Sequence, residues 1–446
     1  MSRQPAAIAA RIIVMFINQS GALRGTLEFS GDKSISHRAA MLAAMAGGQS
    51  HISNFATSED CSSTLSCLSS LGVKIEKNGN NLVITGLGNK GFRQPKDPLY
   101  CGNSGTTMRL MAGILAGMGL EAKLTGDASL SKRPMGRIVG PLETMGAEIA
   151  TVNGIPPIKI MPGRRLKGID HVLTVPSAQV KSCILLAGLN AEGVTTVIEP
   201  VATRDHTERM LARFGVDVRI TESSLGRSIS VKGGSRLAAT DIRIPGDISS
   251  AAFFLVAGAC VPGSRIELRN VGLNPTRSAV LDVLVKAGID ISVENSKDSN
   301  GEPFGNIDVR GSQERLSGEK LVLEGDVVAN LIDELPILAV LGTQLPAGLS
   351  VRGAGELRIK ETDRIAAVVS NLRRMGADVE EFDDGFRVGR SKLHGAEVES
   401  FGDHRIAMAF AVAGLLAEGE TEIANAECID VSFPEFFQVL GSISRN

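Results

Sequence analysis

The sequence predicts a mixed α/β protein of two domains, each built from three copies of one structural unit. The first observation is that polar helix openings recur six times along the chain, 70 to 86 residues apart. The second is that another helix, ended by glycine and followed by an alternating strand, recurs in phase with them. The third is the length of 446 residues, which exceeds what one hydrophobic core supports. Two independent signals in register predict internal repeats.

Each opening is a short polar segment that leads into an apolar helix. The six openings begin at Lys33, Asn103, Ser177, Asp247, Asp333 and Asp403. A glycine follows each apolar run, and these glycines are Gly47, Gly119, Gly193, Gly263, Gly348 and Gly419. We expect each helix to end there, because glycine adopts the left-handed conformation that follows many helices. A strand-like segment comes next in each unit.

The second helix of each unit is amphipathic and precedes a strand in which apolar and charged residues alternate. The glycines that end these helices are Gly72, Gly146, Gly215, Gly288, Gly376 and Gly441. Several units add one more strand after a turn. The unit is therefore predicted to be strand–helix–strand–helix–strand–strand, with three units in each domain of about 200 residues.

The composition is typical of a soluble globular protein and excludes several classes. A net charge of −2 excludes a broadly basic surface for nucleic acid, and one tyrosine with no tryptophan argues against base stacking. Six scattered cysteines show neither CxxC spacing nor a zinc cluster, as in reduced cytosolic proteins.

The apolar stretch 6–17 contains Arg11 and is too short to span a bilayer, so it is expected to be a leading strand or extension. The polar stretch 295–306 is expected to be a surface loop.

The most informative segment is the first helix opening, residues 31–38, with the sequence GDKSISHR. A lysine, two serines and an arginine lie at a helix start, where free N–H groups and the positive dipole end favour an anion. A phosphate suits this arrangement best. An ordinary capped helix with two solvated cations explains the segment equally well when it is taken alone.

Two other helix openings carry residues suited to the same ligand. Small residues around Gly105 allow backbone N–H groups to approach a ligand closely, although such residues also cap ordinary helices. Arg405 opposes the dipole of the helix that it begins, which is unfavourable unless an anion lies there. The basic turn 126–137, taken alone, is as typical of a solvated surface.

Two acidic residues near the fifth opening have reactive side chains. Asp333 precedes an apolar helix, a position where a carboxylate also serves as a simple cap. Lys360 and Arg364 have the spacing that places them on one helical face, and Glu361 beside them is equally typical of a surface residue.

Nine motifs, in order, resemble the 5-enolpyruvylshikimate-3-phosphate synthase family over residues 21–437. They are GDKSISHR, GNSGTTMRL, GDASLSKRPMGR, SAQVKS, TRDHTE, IDELPILA, LRIKETDRI, DHRIAMAFAV and SFPEF. The SAQ and TRDHTE forms are more similar to the second of two bacterial classes. The resemblance implies a two-domain inside-out α/β barrel, or α-β prism, of six βαβαββ repeats. It also implies that one domain comprises residues 1–31 and 246–446 and the other residues 32–245, with crossovers near Gly31-Asp32 and Gly246-Asp247.

The resemblance implies a transferase of the shikimate pathway, which leads to chorismate and the aromatic amino acids. The implied reaction transfers the enolpyruvyl (carboxyvinyl) group of phosphoenolpyruvate to the 5-hydroxyl of shikimate 3-phosphate and releases phosphate. The implied enzyme is a cytoplasmic monomer that binds neither nucleic acid nor membrane. It needs no metal and no organic cofactor. Glyphosate inhibits many members of this family at the phosphoenolpyruvate site.

The resemblance also implies roles for individual residues. Shikimate 3-phosphate would be held by Lys33, Ser34, Arg38, Ser177, Ala178, Gln179, Arg204, Asp333 and Lys360. Phosphoenolpyruvate would be surrounded by Lys33, Asn103, Gly105, Arg133, Gln179, Arg364 and Arg405. The catalytic residues would be Asp333 as base for the attacking hydroxyl, Glu361 as acid for the vinyl carbon, and Lys33, which touches both substrates. Two carboxylates in different environments suit this division, and the cations neutralise two phosphates.

Two positions depart from the family pattern, and two rival readings stay open. Val431 stands where some relatives carry a lysine, which removes one phosphate contact, and Ser30 stands where many carry proline. UDP-N-acetylglucosamine enolpyruvyl transferase shares the repeats, but is expected to lack GDKSISHR and to carry a reactive loop cysteine. A catalytically inert anion-binding module on the same scaffold is disfavoured by the presence of both candidate carboxylates.

Overall fold

The repeated unit is visible in the sheets of the structure, a computed structural model that describes residues 14–163, 165–299, 301–311 and 316–444. Within them the chain forms five four-stranded sheets and one three-stranded sheet. In each four-stranded sheet an edge strand runs parallel to its neighbour, which is antiparallel to one strand of a hairpin. The predicted number of units is confirmed, and five units follow the predicted order of elements. In the sixth, no strand follows the second helix among the described residues, a strand from the start of the chain joins the sheet, and Gly441 lies within that helix instead of ending it.

Three of the sheets use strands between residues 47 and 243. The first contains β3 (Gly47–Ser53), β4 (Lys74–Asn78), β5 (Asn81–Leu87) and β14 (Ile242–Arg243). The second contains β6 (Leu99–Tyr100), β7 (Ala122–Thr125), β8 (Ile149–Val152) and β9 (Ile155–Ile160). The third contains β10 (Asp170–Val172), β11 (Val194–Glu199), β12 (Val218–Ser223) and β13 (Gly226–Lys232).

The other three sheets combine the first strands of the chain with its second half. The fourth sheet contains β2 (Arg24–Glu28), β15 (Arg265–Gly272), β16 (Asp290–Ser299) and β17 (Glu302–Arg310). The fifth contains β18 (Leu321–Leu323), β19 (Leu349–Val351), β20 (Val379–Phe382) and β21 (Gly385–Val388). The sixth contains β1 (Met15–Asn18), β22 (Glu397–Glu399) and β23 (Glu420–Ala424).

Six apolar helices form the interior, and each begins within two residues of a predicted opening. They are α1 (Lys33–Met45), α3 (Gly105–Gly117), α5 (Ala178–Gly188), α7 (Ile248–Cys260), α10 (Leu335–Gly342) and α12 (His404–Leu416). No apolar side chain from Leu110 to Ala116 in α3 is more than 3% exposed. Because a helix that is apolar on every face must be covered on every face, the helices lie inside and the sheets surround them.

A second set of six helices is amphipathic, as predicted. They are α2 (Glu59–Ser70), α4 (Gly136–Thr144), α6 (His206–Arg213), α8 (Ala279–Lys286), α11 (Arg364–Arg374) and α13 (Phe436–Ile443). One further short helix, α9 (Asp326–Leu331), follows the long β16–β17 hairpin. The extra helix α9 and the length of the β16–β17 hairpin together explain why the fifth opening lies 86 residues after the fourth.

The buried apolar residues form two separate cores. One core is built from residues between 35 and 244. The other is built from residues 23–29 together with residues between 248 and 443. The chain therefore crosses between the cores twice, once after β2 and once after β14.

The two crossing segments lie side by side. Gly31 and Gly246 form an antiparallel bridge, and the Asp32 N–H donates to the Pro245 carbonyl at 2.8 Å. A β-carbon on Gly31 would lie 2.0 Å from the carbonyl oxygen of Asn54 and 2.7 Å from Ile244 Cγ2, next to the second crossing segment. Only glycine therefore allows the Gly31 backbone to lie this close to both. The segments that lead into α1 and α7 therefore depend on each other for their position.

Three expectations about local structure have definite outcomes. The leading strand is present as β1, although residues 6–13 of the stretch 6–17 lie outside the described residues. The expectation of a surface loop at 295–306 is confirmed for the surface, since residues 295–298 and 301 are exposed, but the loop is wrong: most of the stretch belongs to the β16–β17 hairpin, in which Glu302 is buried, and residue 300 lies outside the described residues. Along the described chain, no helix has the length and apolar character needed to cross a membrane.

Candidate active site

A cleft between the two cores brings most of the predicted site residues together. Its cavity has a volume of about 570 Å³ and is lined by both halves of the chain. Nine lysines and arginines line it against six aspartates and glutamates, although the whole chain has a net charge of −2. The first residues of α1, α3, α5, α11 and α12 lie in its wall, and their dipoles add to the positive potential. The cleft is therefore suited to anions.

All fifteen predicted site residues line this cavity except Arg38 and Asn103, which lie directly behind its wall. Arg38 is buried, and its Nε donates to Thr207 Oγ1 at 2.7 Å while Nη2 donates to Ser182 Oγ at 2.8 Å. Asn103 accepts from Arg133 Nη2 at 2.6 Å. Arg38 therefore supports the wall, and Asn103 orients a side chain that does reach the cavity.

Lys33 and Ser34 lie at the start of α1, which is capped by Asp32. The Asp32 carboxylate accepts from the Ile35 N–H at 2.9 Å, and Lys33 Nζ forms an ion pair of 2.8 Å with Asp60 of α2. Burial lowers the pKa of Lys33, but the adjacent Asp60 carboxylate outweighs it and the net pKa is raised. Lys33 is therefore a fixed, fully charged cation.

Gly105 and Gln179 lie next to a pair of arginines. A β-carbon on Gly105 would lie 2.7 Å from Arg109 Nη1 and 3.4 Å from Arg133 Nη1. Arg109 Nη1 also donates to Gln179 Oε1 at 2.6 Å, and Gln179 Nε2 donates to Thr106 Oγ1 at 2.8 Å. Glycine at this helix start therefore leaves the guanidinium groups open to a ligand.

Ser177 and Ala178 mark the start of α5 in the same wall. The Ser177 hydroxyl accepts from the Val180 N–H at 3.4 Å as an N-cap. The remaining N–H groups of this turn face the cavity as potential donors to an anion.

Asp333 forms ion pairs with cations from both halves of the chain. Its Oδ2 lies 2.5 Å from Arg204 Nη2, and its Oδ1 lies 3.2 Å from Arg364 Nη1. Burial raises the pKa of this carboxyl, but the surrounding cations, foremost Arg405 and Arg204, hold it well below its usual range. Helix α10 begins at Leu335 with no side-chain cap, so Asp333 is not the cap that the plainer reading allowed.

Glu361 is also held between cations of the two halves. It lies 2.7 Å from Arg364 Nη2 and 3.3 Å from Arg133 Nη1. Burial raises the pKa of Glu361, but Arg364 and Arg133 hold it well below its usual range. Arg364 is only 1% exposed and forms a further pair of 2.7 Å with Asp403. Glu361 is therefore a site carboxylate and not the surface residue of the alternative reading.

Lys360 and Arg109 differ from the other cations of the cavity because neither forms an ion pair with any described residue, and Arg109 donates instead to Gln179 and Pro134. Burial lowers the pKa of Lys360, against the opposing effect of Asp333. This lysine precedes α11, which Asp363 caps by accepting from the Ala366 N–H at 3.0 Å. The expectation that Lys360 and Arg364 share a helical face is therefore wrong, because the helix begins at Arg364, after the Asp363 cap, and Lys360 lies before it. Both side chains nevertheless line the cavity.

Arg405 lies at the start of α12 and points toward the Asp333 segment. Its Nη1 donates to the Asp333 carbonyl at 3.0 Å, and its Nε lies 3.5 Å from Asp333 Oδ1. A cation at a helix N-terminus is thus partly compensated by a carboxylate. The neighbouring His404 is buried, and burial together with Lys33 and Arg405 holds its pKa well below its ordinary value.

Several ion pairs of the site were not predicted from the sequence. Asp60 pairs with Lys33, and Asp403, predicted only as a helix opening, pairs with Arg364, each across tens of residues in sequence. Arg137 crosses the mouth of the cleft with two bonds of 2.9 Å to Glu356. The available signal was their position at a helix start: Asp60 lies in the first turn of α2, and Asp403 is the N-cap of α12. Among the described residues, no set of His, Cys, Asp and Glu side chains is arranged to hold a metal ion.

Comparisons with known proteins agree on one family. The family model described as EPSP synthase (3-phosphoshikimate 1-carboxyvinyltransferase) matches residues 17–440. A 3-phosphoshikimate 1-carboxyvinyltransferase of Solibacter usitatus is 50% identical over 431 residues, covering 96% of this chain and 99% of the relative. One of Shouchella clausii is 48% identical and covers 94% of this chain and 96% of the relative. A solved EPSP synthase of Acinetobacter baumannii is 43% identical with a TM-score of 0.84, covering 97% of this chain and 98% of that one.

Proposed function

We infer the reaction from one premise: the chain belongs to the EPSP synthase family. It is a 3-phosphoshikimate 1-carboxyvinyltransferase, which transfers the enolpyruvyl group of phosphoenolpyruvate to the 5-hydroxyl of shikimate 3-phosphate and releases phosphate. This reaction belongs to the shikimate pathway of aromatic amino acid biosynthesis. The assignment of individual residues that follows is our proposal.

One observation supports the residue assignment most strongly: Asp333 and Glu361 share the buried Arg364 in a cleft with an excess of cations. Arg364 lies 3.2 Å from Asp333 and 2.7 Å from Glu361. Two carboxylates close together suit a reaction in which one group removes a proton and another delivers one. The cations around them suit two substrates that each carry a phosphate.

We place shikimate 3-phosphate against the wall that both halves form around Arg204. Its proposed contacts are Lys33, Ser34, Ser177, Ala178, Gln179, Arg204, Asp333 and Lys360, and Arg38, predicted from the resemblance as a further contact, supports this wall from behind through Thr207 and Ser182. The unpaired ammonium of Lys360 is available to a substrate oxygen without breaking an ion pair. Asp333 would accept the proton of the 5-hydroxyl as that oxygen attacks.

We place phosphoenolpyruvate between Arg133 and Arg364, beside Gly105. Its proposed contacts are Lys33, Gly105, Arg133, Gln179, Arg364 and Arg405, and Asn103, predicted from the resemblance as a further contact, acts by orienting Arg133. Addition joins the 5-oxygen to the central carbon of phosphoenolpyruvate while the methylene carbon gains a proton. Loss of phosphate and of one proton from the resulting methyl group then restores the vinyl group. Lys33 would contact both substrates.

Glu361 must carry a proton in order to deliver one, yet Arg364 and Arg133 hold it ionised in the free protein. Phosphoenolpyruvate would place negative charge on these same two arginines. Their effect on Glu361 would then be offset, and the pKa of Glu361 would rise toward a value suited to a general acid. We propose that substrate binding itself prepares the acid.

We further propose the domain division 1–31 plus 246–446 and 32–245, which agrees with the two cores and the paired crossovers at Gly31 and Gly246. Because each domain contributes cations to one cleft, a single chain contains a full set of site residues. We therefore propose a cytoplasmic monomer, and light scattering during gel filtration measures its mass directly.

Titration calorimetry tests the acceptor, with shikimate 3-phosphate compared against UDP-N-acetylglucosamine under the same conditions. We expect one shikimate 3-phosphate to bind per chain and UDP-N-acetylglucosamine not to bind. Lys360→Met should weaken this binding, and the exposed control variant Lys392→Met should not. Binding of UDP-N-acetylglucosamine instead would favour the rival transferase, and binding of neither would contradict the proposed site.

A further inference from the structure

Behind the cleft, residues 274–277 connect β15 to α8 and contact a segment of the other half. Asn274 Nδ2 donates to Asp205 Oδ1 at 2.8 Å and to Glu302 Oε2 at 2.9 Å. The Asp205 N–H lies 3.4 Å from Thr276 Oγ1 as a weak donor. Asp205 directly follows Arg204 in the chain, so these bonds fix the backbone from which Arg204 projects.

Arg277 at the end of this segment is buried between the two crossovers. It is 2% exposed, and its Nη2 lies 3.5 Å from Asp247 Oδ1 and 3.9 Å from Asp32 Oδ2. These two aspartates cap α7 and α1. The Lys33 N–H lies 3.4 Å from Asp247 Oδ2. Arg277 therefore neutralises two buried carboxylates that would otherwise repel each other, and it fixes the turn that presents Lys33.

The same guanidinium group reaches the segment that carries Asp333. Arg277 Nη2 donates to Ser249 Oγ at 2.5 Å, and the Ser249 hydroxyl donates to Glu334 Oε1. Glu334 is 1% exposed and directly follows Asp333. A buried chain of hydrogen bonds thus runs from the crossovers to Glu334, the residue next to the proposed base.

We propose that Arg277 is a positioning residue that holds Lys33 and Asp333 in a fixed relation across the cleft. The inference rests on the proposed function, because it assigns these two residues to the reaction. All three contacts run from Nη2 at the end of the long arginine side chain, and a lysine ammonium, which is more strongly hydrated and lies on a flexible stem, would hold the two carboxylates and the hydroxyl less firmly. A small displacement of reacting groups costs a large factor in rate, so the loss of Arg277 acts on turnover through the residues that it holds, although its side chain also reaches the cavity wall.

Four variants test the proposal: Arg277→Gln, Arg277→Lys, Ser249→Ala and the control Ser250→Ala. Phosphate release gives kcat and both KM values per folded molecule, and urea unfolding gives the folded fraction. We expect Arg277→Gln to lower kcat at least about tenfold and to raise the KM for shikimate 3-phosphate, since both crossovers shift. Arg277→Lys should recover part of the lost kcat, because it retains the charge but carries it on a shorter and more flexible side chain.

Ser249→Ala keeps every charge and removes the hydroxyl that links Arg277 to Glu334. We expect it to lower kcat at least about fivefold while the KM for phosphoenolpyruvate changes less than about twofold. Ser250→Ala lies on the same helix outside this chain of bonds and should retain wild-type kcat. If Arg277→Gln does not fold, Ser249→Ala decides the question.

Two negative results are distinguishable. A wild-type protein that releases no phosphate would overturn the proposed function, and this inference with it. An active wild type whose Ser249→Ala variant keeps normal kcat per folded molecule, or whose Arg277 variants lose only stability, would overturn the positioning role alone.

Discussion

Arg204 Nη2 lies 2.5 Å from Asp333 Oδ2, so the proposed base of one half is paired with a cation of the other half. The two side chains retain 18% and 14% exposure, so a ligand in the cavity reaches both. A bound phosphorylated substrate would compete with Asp333 for Arg204. Its binding would therefore raise the pKa of Asp333 and strengthen it as a base.

Removing either carboxylate should nearly abolish turnover. We expect Asp333→Ala and Glu361→Ala each to lower kcat by roughly two orders of magnitude or more, as for positioned acid and base groups. The assay is steady-state phosphate release at saturating substrates. Binding of shikimate 3-phosphate should suffer less from Glu361→Ala than from Lys360→Ala, because Glu361 is assigned to the other substrate. Asp308→Ala, in an exposed pair with Arg265, is the matched control. Near-normal turnover in both site variants would reduce the carboxylates to structural partners of Arg364.

Gly105→Ala should discriminate between glyphosate and phosphoenolpyruvate. A methyl group there meets Arg109 Nη1 at 2.7 Å and Arg133 Nη1 at 3.4 Å, so the longer ligand loses more space than the substrate. We expect the inhibition constant of glyphosate to rise by a larger factor than the KM for phosphoenolpyruvate. Both constants are measured in one buffer for the two proteins. Equal factors would show that Gly105 does not line the discriminating end of the site.

Buried neutral histidines should make the protein less stable in mild acid. Burial, Lys33 and Arg405 hold the pKa of His404 well below 6.5, against the opposing charge of Glu361; Arg364 also lowers it. Since the unfolded chain takes up the proton first, the free energy of unfolding falls as pH drops below 6.5. One such histidine costs about 1 kcal/mol between about pH 6.5 and 5.5.

Urea unfolding at these two pH values measures the effect. His404→Gln should reduce the pH dependence by about that amount, and the exposed control His51→Gln should leave it unchanged. An unchanged dependence in His404→Gln would mean that His404 is not held neutral in the folded protein.

Ligands should draw the two halves together, because the cavity residues proposed to bind them come from both halves, such as Arg133 and Gln179 against Asp333 and Lys360. The ion pairs Arg133–Glu361 and Arg137–Glu356 join the halves in this structure, so we expect the ligand-free protein to separate them before substrates enter and bound ligands to restore the closed arrangement. Small-angle scattering should give a smaller radius of gyration with shikimate 3-phosphate and glyphosate than for the free protein. Shikimate, which lacks the phosphate, is the control ligand. An unchanged radius at saturation would contradict closure.

The fold was predictable because its signals are local and repeated. A polar opening, an apolar run and a glycine mark each inner helix, and all six inner helices begin within two residues of these marks. The failures concern structure that depends on distant residues. Glu302 pairs with His206, 96 residues away, so nothing local indicates that the 295–306 stretch packs against another element. The spacing of Lys360 and Arg364 predicts one helix that contains both residues. The Asp363 side chain instead caps the helix at Arg364, so Lys360 lies before it.

In the candidate site, too, features with a local sequence signal were predictable and features that depend on distant residues were not. The cations of the helix openings were predictable one by one, because dipole ends and phosphate-binding residue types coincide there. Their partners were not, because Asp60 and Arg277 meet Lys33 and the crossovers only through tertiary packing. The low pKa of Glu361 likewise follows from Arg133 and Arg364, which come together only in the folded cleft.

The most direct test of the central claim is phosphate release measured with both substrates and with each omitted in turn. The account predicts that wild-type protein releases phosphate from phosphoenolpyruvate only when shikimate 3-phosphate is present, one phosphate for each enolpyruvyl group transferred. Asp333→Ala should abolish the release under the same conditions. Release without shikimate 3-phosphate, or full release by the Asp333→Ala variant, would contradict a transfer site shared by the two halves.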